Sequence, residues 1–303
     1  MTWYKKLARY WNKPQHVGYL FIAPAVIIIF LFCIIPLISS FAISMLDVTT
    51  YFSSVKFVGL NNFIEAFKDD RFKNSWKITG IYTVCVVPVI IFFSLIVASL
   101  VNGERRSDKL FRIIFILPII CSSTVTGLMW KLFLNPNIGW GVWILEKLGF
   151  PQLAIFSDVN LAIFGIVFIS IWSGFGVSTM IFVAAMQGVS PSLYEAAGLD
   201  GANAFEKLIN VTIPGIASTL WFILITQIIG SFQVFDLIYV ITNGGPAHST
   251  ETVVSYIYSK AFTTDNRLGY STAMSEVLFV VILIVTVMLY TRMRIQEKNG
   301  GEQ

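Results

Sequence analysis

The 303-residue chain is 56% hydrophobic and only 13% charged, and 26 of its residues are Phe. Soluble domains carry about 25% charged residues, so this composition excludes a soluble enzyme, a disordered scaffold and a small disulfide-stapled module. The net charge of +4 does not indicate nucleic-acid binding, because the basic residues concentrate in tails and short loops, where membrane topology explains them. We therefore expect an integral membrane protein.

Six apolar stretches are long enough to cross a bilayer, which requires about 20 residues of helix. The sequence predicts an all-α polytopic membrane protein with one transmembrane domain over residues 17–290, flanked by tails at residues 1–16 and 291–303. In chain order, the expected transmembrane helices are residues 17–45, 78–101, 113–134, 161–186, 216–241 and 271–290.

The distribution of basic residues predicts the side of the membrane that each loop occupies. With six spans, both tails lie on the same side as loops 102–112 and 187–215, and these segments are denser in Lys and Arg than the opposite loops. Because cytoplasmic segments are enriched in Lys and Arg, we expect both termini in the cytoplasm of a plasma or inner membrane. The outer loops, residues 46–77, 135–160 and 242–270, carry aromatic residues typical of short interfacial helices.

The loop at residues 187–215 is rich in Ala and Gly and reads as two short helices. Ser192 followed by Glu195 predicts a capping box that opens the first helix, and Asp200 is positioned to cap the second. The loop also carries apolar side chains with no evident core of their own, namely Tyr194, Leu199, Phe205 and Leu208. Two interpretations remain open: a surface loop packed on its own membrane domain, or a docking surface for a partner.

The order Glu195-Ala196-Ala197, Gly198, Asp200-Gly201-Ala202 resembles the EAA signature of permease subunits of binding-protein-dependent ABC importers. Further segments are similar to the carbohydrate-uptake, MalF-like branch of that family: residues 57–63, Leu117-Pro118, Trp172 and residues 242–246. The resemblance implies a type I ABC importer transmembrane domain, with six transmembrane helices and a cytoplasmic EAA helical hairpin. The large periplasmic insertion of the maltose-type subunit has no counterpart in this sequence.

The resemblance implies an ATP-driven importer in which this chain supplies half of the translocation path. Its implied partners are a second homologous permease subunit, two cytoplasmic ABC ATPase subunits and an extracytoplasmic sugar-binding protein, with a sugar or oligosaccharide as solute. The residues to which the resemblance assigns ATPase coupling are Tyr194, Glu195, Ala196, Ala197, Gly198, Asp200, Gly201, Ala202 and Phe205.

The sequence contains no Gly-Lys dipeptide and therefore no phosphate-binding P-loop. ATP and Mg²⁺ are accordingly expected on the separate ATPase. No catalytic residue, cofactor or metal site is expected on this chain.

Polar groups at membrane depth are costly unless they face protein or water, which makes them candidates for a solute path. Two spans carry polar and small residues at the helical spacing i, i+3, i+4, i+7: Gln227, Gly230, Ser231 and Val234 in the fifth span, and Ser170, Ser173, Gly174 and Val177 in the fourth. Such residues also line ordinary helix contacts in membranes. The resemblance favours the solute path, because these positions and Ser123 in the third span fall where the maltose-type subunit lines its sugar site.

Asp236 and Glu276 are the acidic residues predicted within the spans, and each is a candidate for a gate or for pairing with a partner. Trp172 is a candidate for stacking on a sugar ring. Three alternatives remain: an ABC permease for another polar solute such as glycerol phosphate, a secondary transporter with its own coupling-ion site, and a membrane-embedded enzyme that uses paired acids. The EAA hairpin speaks against a secondary transporter.

Overall fold

The computed structural model describes residues 14–52, 55–103, 105–152 and 154–300. Most of the predicted N-terminal tail and the last three residues of the C-terminal tail lie outside the described residues. The chain divides into two compact units: unit 1 is residues 1–66 with 260–277, and unit 2 is residues 67–259 with 278–303. Among the described residues, five helices are long and apolar enough to cross a membrane, or six when one bent helix pair is counted as a span.

Unit 1 begins with the first predicted span. Helix α1 (Pro14–Ile29) continues through a π-helical turn at Phe30–Ile34 into helix α2 (Ile35–Ser44). A short antiparallel hairpin follows, in which strand β1 (Leu46–Val48) pairs with strand β2 (Val55–Phe57). The sequence analysis did not predict these strands, because three residues are too few to display an alternating pattern.

Helix α3 (Asn61–Lys68) follows this hairpin. The Asn62 side-chain amide donates to the carbonyl oxygens of Ser44 (2.8 Å) and Leu46 (2.9 Å), which ties the start of α3 to the end of α2. Gly269, from the far end of the chain, approaches the same segment so closely that an added Cβ would lie 1.8 Å from the Leu46 carbonyl oxygen. The backbone carbonyl of Leu46 is therefore a contact point for both α3 and the segment around Gly269.

Unit 2 is built on two long helices, α4 (Asp70–Val101) and α8 (Ala162–Gln187). Helix α4 begins at Asp70 rather than at the predicted residue 78, because Asp69 accepts from the backbone N–H groups of Arg71 (2.9 Å) and Phe72 (3.3 Å) and caps the helix. One buried apolar cluster joins these helices to a short helix α13 (Asp236–Ile241): Tyr82, Val86, Ile90, Ile163, Ile166, Ile169, Leu237, Ile238 and Ile241.

Two predicted spans are interrupted. Residues 113–134 are divided between helix α5 (Arg106–Ile120) and helix α6 (Ser123–Phe133), which meet at 95°. The Ser122 hydroxyl accepts from the Val125 N–H (3.3 Å) and starts the new helix. Residues 216–241 are divided between helix α12 (Ala217–Phe232) and α13. The first break carries local signals, Pro118 and the capping Ser122, that the sequence analysis did not use, whereas apolar composition runs through the second break.

Short helices occupy the predicted outer loops: α7 (Trp140–Lys147), a 3₁₀ turn at Ile155–Ser157, and α14 (Val253–Tyr258), which leads into a π-helical turn at Ser259–Thr263. The last helix, α15 (Leu268–Gly300), extends past the predicted sixth span, residues 271–290, at both ends. The loop at residues 187–215, called the coupling hairpin below, contains α9 (Pro191–Leu199), α10 (Ala204–Lys207), a π-helical turn at Leu208–Thr212 and α11 (Ile213–Gly215).

Candidate functional site

Unit 2 contains an open cavity of about 290 Å³ lined by helices α4, α6, α8, α12 and α13. We call it the central cavity. Eight of the nine residues predicted for the solute path line it: Ser123, Ser170, Ser173, Gly174, Gln227, Gly230, Ser231 and Val234. The ninth, Val177, is half-buried on α8 and is not among the lining residues. That these residues contact a solute stays a prediction.

The break after α12 opens one side of the central cavity. The helix ends at Phe232, where the Gln233 N–H donates to the Gly230 carbonyl (3.2 Å), and the chain turns before α13 begins at Asp236. Val234 therefore lines the cavity from beyond the helix end, not from the continuous face that the spacing predicted. Gly230 has no heavy atom within 4 Å of an added Cβ, so it faces open space.

The hydroxyl groups on α4 and α8 form a connected set. The Tyr82 hydroxyl donates to Ser170 Oγ (2.9 Å), and Ser170 Oγ donates to the Ile166 carbonyl of its own helix (2.8 Å). Ser173 Oγ donates in turn to the Ser170 carbonyl (3.2 Å). A hydroxyl offers one donor and two acceptor sites. These serines thus satisfy their protons internally and retain acceptor capacity toward the cavity.

Gln227 supplies the amide group of the central cavity. Its Nε2 donates to Ser178 Oγ on α8 (3.1 Å), which fixes the orientation of the half-buried side chain. One amide hydrogen and the carbonyl oxygen remain to bond a solute. The site can therefore both donate to and accept from the hydroxyl groups of a sugar.

The sequence reasoning missed six lining residues: Tyr82, Val86, Ile90, Gln233, Phe235 and Leu237. Three of them lie on α4, where Tyr82 and other hydroxyl residues, among them Thr79 and Thr83, were not predicted to face a solute path. The other three cluster at the unpredicted break between α12 and α13. The one available signal was Gln233, a second amide in the same apolar stretch as Gln227.

The three remaining candidates occupy different places. Asp236 lines the central cavity and is exposed. Trp172 does not line it and instead packs edge-on against Trp130, with ring centroids 5.4 Å apart, so the position of Trp172 does not support sugar stacking. Glu276 lies in unit 1, where the Ser40 hydroxyl donates to its Oε1, while its buried Oε2 has no hydrogen-bond partner among the described residues.

The coupling hairpin starts differently from the prediction. Its first helix begins at Pro191 with Ser190 as N-cap, so Ser192 lies inside the helix and the predicted Ser192–Glu195 capping box does not form. Proline is favoured at the first helical position because its fixed φ suits a helix and its missing N–H would have had no partner there. The prediction for this cap was wrong by two residues.

The second helix is capped by Asn203, not by the predicted Asp200. The Asn203 side chain accepts from the N–H groups of Phe205 and Glu206, both at 3.0 Å, while the Glu206 carboxylate accepts from the Asn203 N–H at 2.7 Å. This arrangement is a capping box. Asp200 instead ends the first helix.

The turn between the two helices depends on Gly201, whose φ is +82°. The Gly201 N–H donates to the Gly198 carbonyl (3.2 Å) and the Ala202 N–H to the Ala197 carbonyl (2.9 Å), which together make a Schellman motif. No heavy atom lies within 4 Å of an added Cβ at Gly201. The glycine therefore serves the backbone conformation and leaves the tip of the turn open.

The side chains of the hairpin divide into a packed group and an exposed group. Tyr194 packs against the buried cluster that contains Phe182 and Ile223, and its hydroxyl lies 3.0 Å from Thr212 Oγ1, so it fastens the hairpin to its own domain. Leu199 and Phe205, in contrast, are 91% and 68% exposed. Glu195 and Ala196 are exposed as well. The tip of the hairpin thus presents apolar side chains that unit 2 does not cover.

In the ranges that the structure describes, no three His, Cys, Asp or Glu side chains are grouped so as to hold a metal ion.

The family model described as "Binding-protein-dependent transport system inner membrane component" matches residues 90–296. The probable ABC transporter permease protein YurN of Bacillus subtilis (strain 168) is 30% identical over 91% of this chain and 96% of its own length. The sn-glycerol-3-phosphate transport system permease protein UgpA of Agrobacterium fabrum is 31% identical over 88% of this chain and 91% of its own length. The trehalose/maltose transport system permease protein MalF of Thermococcus litoralis is 29% identical over 91% and 92%.

Among solved structures, a chain of a bacterial ABC transporter involved in the import of the acidic polysaccharide alginate superposes with a TM-score of 0.80 at 21% identity. The superposition covers 96% of this chain and 98% of the other. At that identity the likeness demonstrates a common fold.

Proposed function

Because the chain belongs to the family of binding-protein-dependent transport system inner membrane components, we propose that it forms half of the translocation path of an ATP-driven sugar importer. It is a multi-pass inner-membrane permease subunit of an ABC importer, with the helical type I fold, and ATP hydrolysis belongs to a separate subunit. The sugar, the residues that bind it and the coupling to the ATPase are the content of the proposal.

The observation that carries the sugar assignment is the lining of the central cavity. Hydroxyl groups of serine and tyrosine and the amides of Gln227 and Gln233 surround about 290 Å³, near the lower limit of about 300 Å³ for small-molecule sites. Such groups bond sugar hydroxyls in both directions. The volume suits a solute that this chain contacts on one side, with a second homologous permease on the other.

The coupling hairpin is the proposed contact for the ATPase. Exposed apolar side chains beside an open glycine turn are the features of a surface that another protein covers. Leu199 and Phe205 provide the apolar contacts, and Gly201 lets the partner approach the backbone.

Movement of the coupling hairpin would reach the central cavity through the two helices that the hairpin joins. It follows α8 directly and leads through α11 into α12, and these two helices carry Ser173 and Gln227. The two ends of the hairpin are in close contact, since an added Cβ at Gly215 would lie 2.9 Å from Val189 Cγ2. A displacement of the hairpin therefore shifts both cavity helices together. Packed helices transmit displacement because protein interiors are close-packed.

The proposal includes one further homologous permease, two ATPase subunits and an extracytoplasmic sugar-binding protein, and it places both termini in the cytoplasm. Orientation is tested with single cysteines at the exposed residues Ser107 and Leu148 in a chain without native cysteines. We expect Leu148→Cys in intact cells to react with a membrane-impermeant maleimide, and Ser107→Cys to react only after permeabilisation. The reverse pattern would place the coupling hairpin outside and contradict the proposal.

Transport is tested with the complex purified through a tag on this chain, identified by mass spectrometry and reconstituted with its binding protein. ATP-dependent accumulation of a labelled oligosaccharide is expected. Gln227→Leu should reduce that uptake about tenfold while basal ATP hydrolysis persists, because the loss of one buried hydrogen bond costs about 1 to 3 kcal/mol. Gln152→Leu, which removes an exposed amide at another site, is the matched control. Co-purification without an ATPase, or uptake independent of ATP, would refute the proposal.

A further inference from the structure

We propose that the central cavity admits carbohydrates without net negative charge and rejects anionic ones, such as uronic acid oligosaccharides and sugar phosphates. The inference rests on the proposed function and narrows its solute class. Family membership leaves this point open, because the relatives include permeases named for trehalose and maltose and for sn-glycerol 3-phosphate.

The charge inventory of the central cavity carries the inference. Of the fifteen described residues that line it, Asp236 is the one with an ionisable acid or base that is charged at neutral pH, and none is Lys, Arg or His. The helices that provide most of the lining, α8, α12 and α13, contain no Lys or Arg anywhere in their sequences. This chain's contribution to the fixed charge of the cavity is thus −1, and it supplies no countercharge for an anion.

None of the four basic residues on the other two lining helices, Arg71, Lys73 and Lys77 on α4 and Lys131 on α6, lines the central cavity. On α6, Lys131 Nζ donates to the Val240 carbonyl at the end of α13 (3.1 Å). On α4, Arg71 forms two hydrogen bonds to the buried carboxylate of Glu251, at 2.7 and 2.8 Å. Neither Lys131 nor Arg71 lines the central cavity. Their charges are therefore not positioned to neutralise a bound anion.

An anion in this cavity would lose hydration without gaining a countercharge. Ionised groups at membrane depth are costly unless they are paired or face water. The Asp236 carboxylate would add repulsion between like charges. A neutral sugar avoids both costs, because its hydroxyl groups need only the hydroxyls and amides that line the cavity.

Asp236 also has a favourable role toward such a solute. An ionised carboxylate accepts hydrogen bonds that are shorter and stronger than those accepted by a neutral group. Asp236 is exposed and, among the described residues, it forms no ion pair. Its two oxygens are available to two neighbouring hydroxyls of a sugar ring, or to an amino group.

The charge of the cavity is tested with Ser173→Cys in a complex whose permease lacks native cysteines. The rates at which a cationic and an anionic methanethiosulfonate modify this cysteine are measured. Each rate is divided by the rate at which the same reagent modifies a free thiol in solution. We expect the normalised cation-to-anion ratio to be about tenfold or more, and Asp236→Asn to lower it severalfold. Glu146→Gln, which removes an acid that does not line the central cavity, should leave the ratio unchanged. A ratio of one or below would overturn the inference.

The solute class is tested in proteoliposomes that hold the complex and its binding protein. The probes are matched pairs of carbohydrates that share a glycosidic linkage and differ in charge. One pair is galactose and galacturonic acid oligosaccharides, and the other is neutral hexose disaccharides and their uronate counterparts. A further anionic probe is sn-glycerol 3-phosphate. Uptake of a neutral member without its anionic counterpart supports the inference. Uptake of any anionic member would overturn the inference while leaving the sugar importer intact. A cation-selective cavity with no uptake of any carbohydrate would refute the proposed function, and the inference about carbohydrates with it.

Discussion

The central cavity and the coupling hairpin differ in which side chains they leave without partners. In the cavity, polar groups are held by hydrogen bonds within the chain, as Tyr82 donates to Ser170 and Gln227 to Ser178. In the hairpin, the polar backbone is satisfied by caps and a Schellman turn, while apolar side chains such as Leu199 and Phe205 remain exposed.

On the proposed function, this chain fixes the polar lining of its side of the cavity through internal hydrogen bonds, whereas the hairpin tip is a surface that another protein would cover. Polar groups buried at membrane depth need fixed partners, since each unsatisfied one is costly there. Exposed apolar groups on a rigid turn stabilise a complex only when a partner covers them and removes them from water. Substitutions in the two regions should therefore fail differently: graded losses of solute affinity in the cavity, and loss of ATPase contact in the hairpin.

The largest effect is expected at the tip of the hairpin. Gly201→Trp places a bulky side chain where the partner approaches and requires a positive φ that costs about 1 to 2 kcal/mol for a residue with a Cβ. Uptake should fall at least about tenfold and pull-down of the ATPase should weaken. Gly149→Trp is the matched control, because Gly149 also has a positive φ (+90°) and open space around its Cβ but lies in a predicted outer loop. Equal losses in both variants would attribute the effect to backbone strain alone.

The next effect concerns the exposed apolar contacts. Phe205→Ala removes a large ring from a surface where a few apolar residues are expected to dominate binding, so ATPase association should weaken by about 1 to 3 kcal/mol. The measurement is the affinity of the purified ATPase for the permease in nanodiscs. Phe150→Ala, a change of an exposed ring in a predicted outer loop, serves as control. Unchanged affinity in Phe205→Ala would show that this ring does not contribute to the contact with the ATPase.

A smaller effect is expected in the cavity. Tyr82→Phe removes the hydroxyl that donates to Ser170 Oγ, while Ser170 keeps its bond to Ile166. Loss of one such bond costs about 1 kcal/mol. We expect a severalfold rise in the KM for solute, with ATPase association unchanged. Tyr256→Phe removes a bond to Asp69 outside the cavity and should leave KM unaltered. Altered ATPase binding in Tyr82→Phe would contradict the assignment of solute binding and ATPase contact to separate regions.

The smallest effect is expected for Glu195→Ala. Because the predicted capping box does not form, Glu195 contributes no helix cap, and the exposed carboxylate makes no ion pair among the described residues. Only a contact with the partner can be lost, so uptake should change less than about threefold, in line with the small free energy of an exposed ion pair. A loss as large as that of Gly201→Trp would mean that the carboxylate, not the turn, dominates the interface.

Much of this organisation could be predicted from the sequence, because it depends on composition and spacing. The polar spacing in two spans identified residues that line one cavity, because residues at helical spacing share one face for as long as the helix is unbroken. Val177 lies on the same face further along α8 and does not line the cavity, and Tyr82 was missed because its neighbours come from another helix. The break after Phe232 follows from tertiary packing and has no local signal such as proline or a capping serine.

Local rules that compete explain the remaining errors. In the hairpin, Ser192 and Glu195 match a capping box by spacing, yet Pro191 starts the helix earlier. Asp200 and Asn203 are both suitable caps, and only the Schellman turn at Gly201 decides that Asn203 begins the second helix. The sequence therefore predicts that a hairpin exists, whereas its exact caps depend on which of several permitted turns packs best.

The central claim, that the coupling hairpin receives energy from a separate ATPase, is tested most directly by photocrosslinking. Phe205 is replaced by p-benzoylphenylalanine in the assembled complex, with Phe150 replaced in the same way as control. Irradiation should join the Phe205 position to an ATPase subunit, identified by mass spectrometry, in a complex that still imports sugar. An active complex in which the Phe205 position yields no ATPase adduct, or in which only the Phe150 position does, would contradict the account.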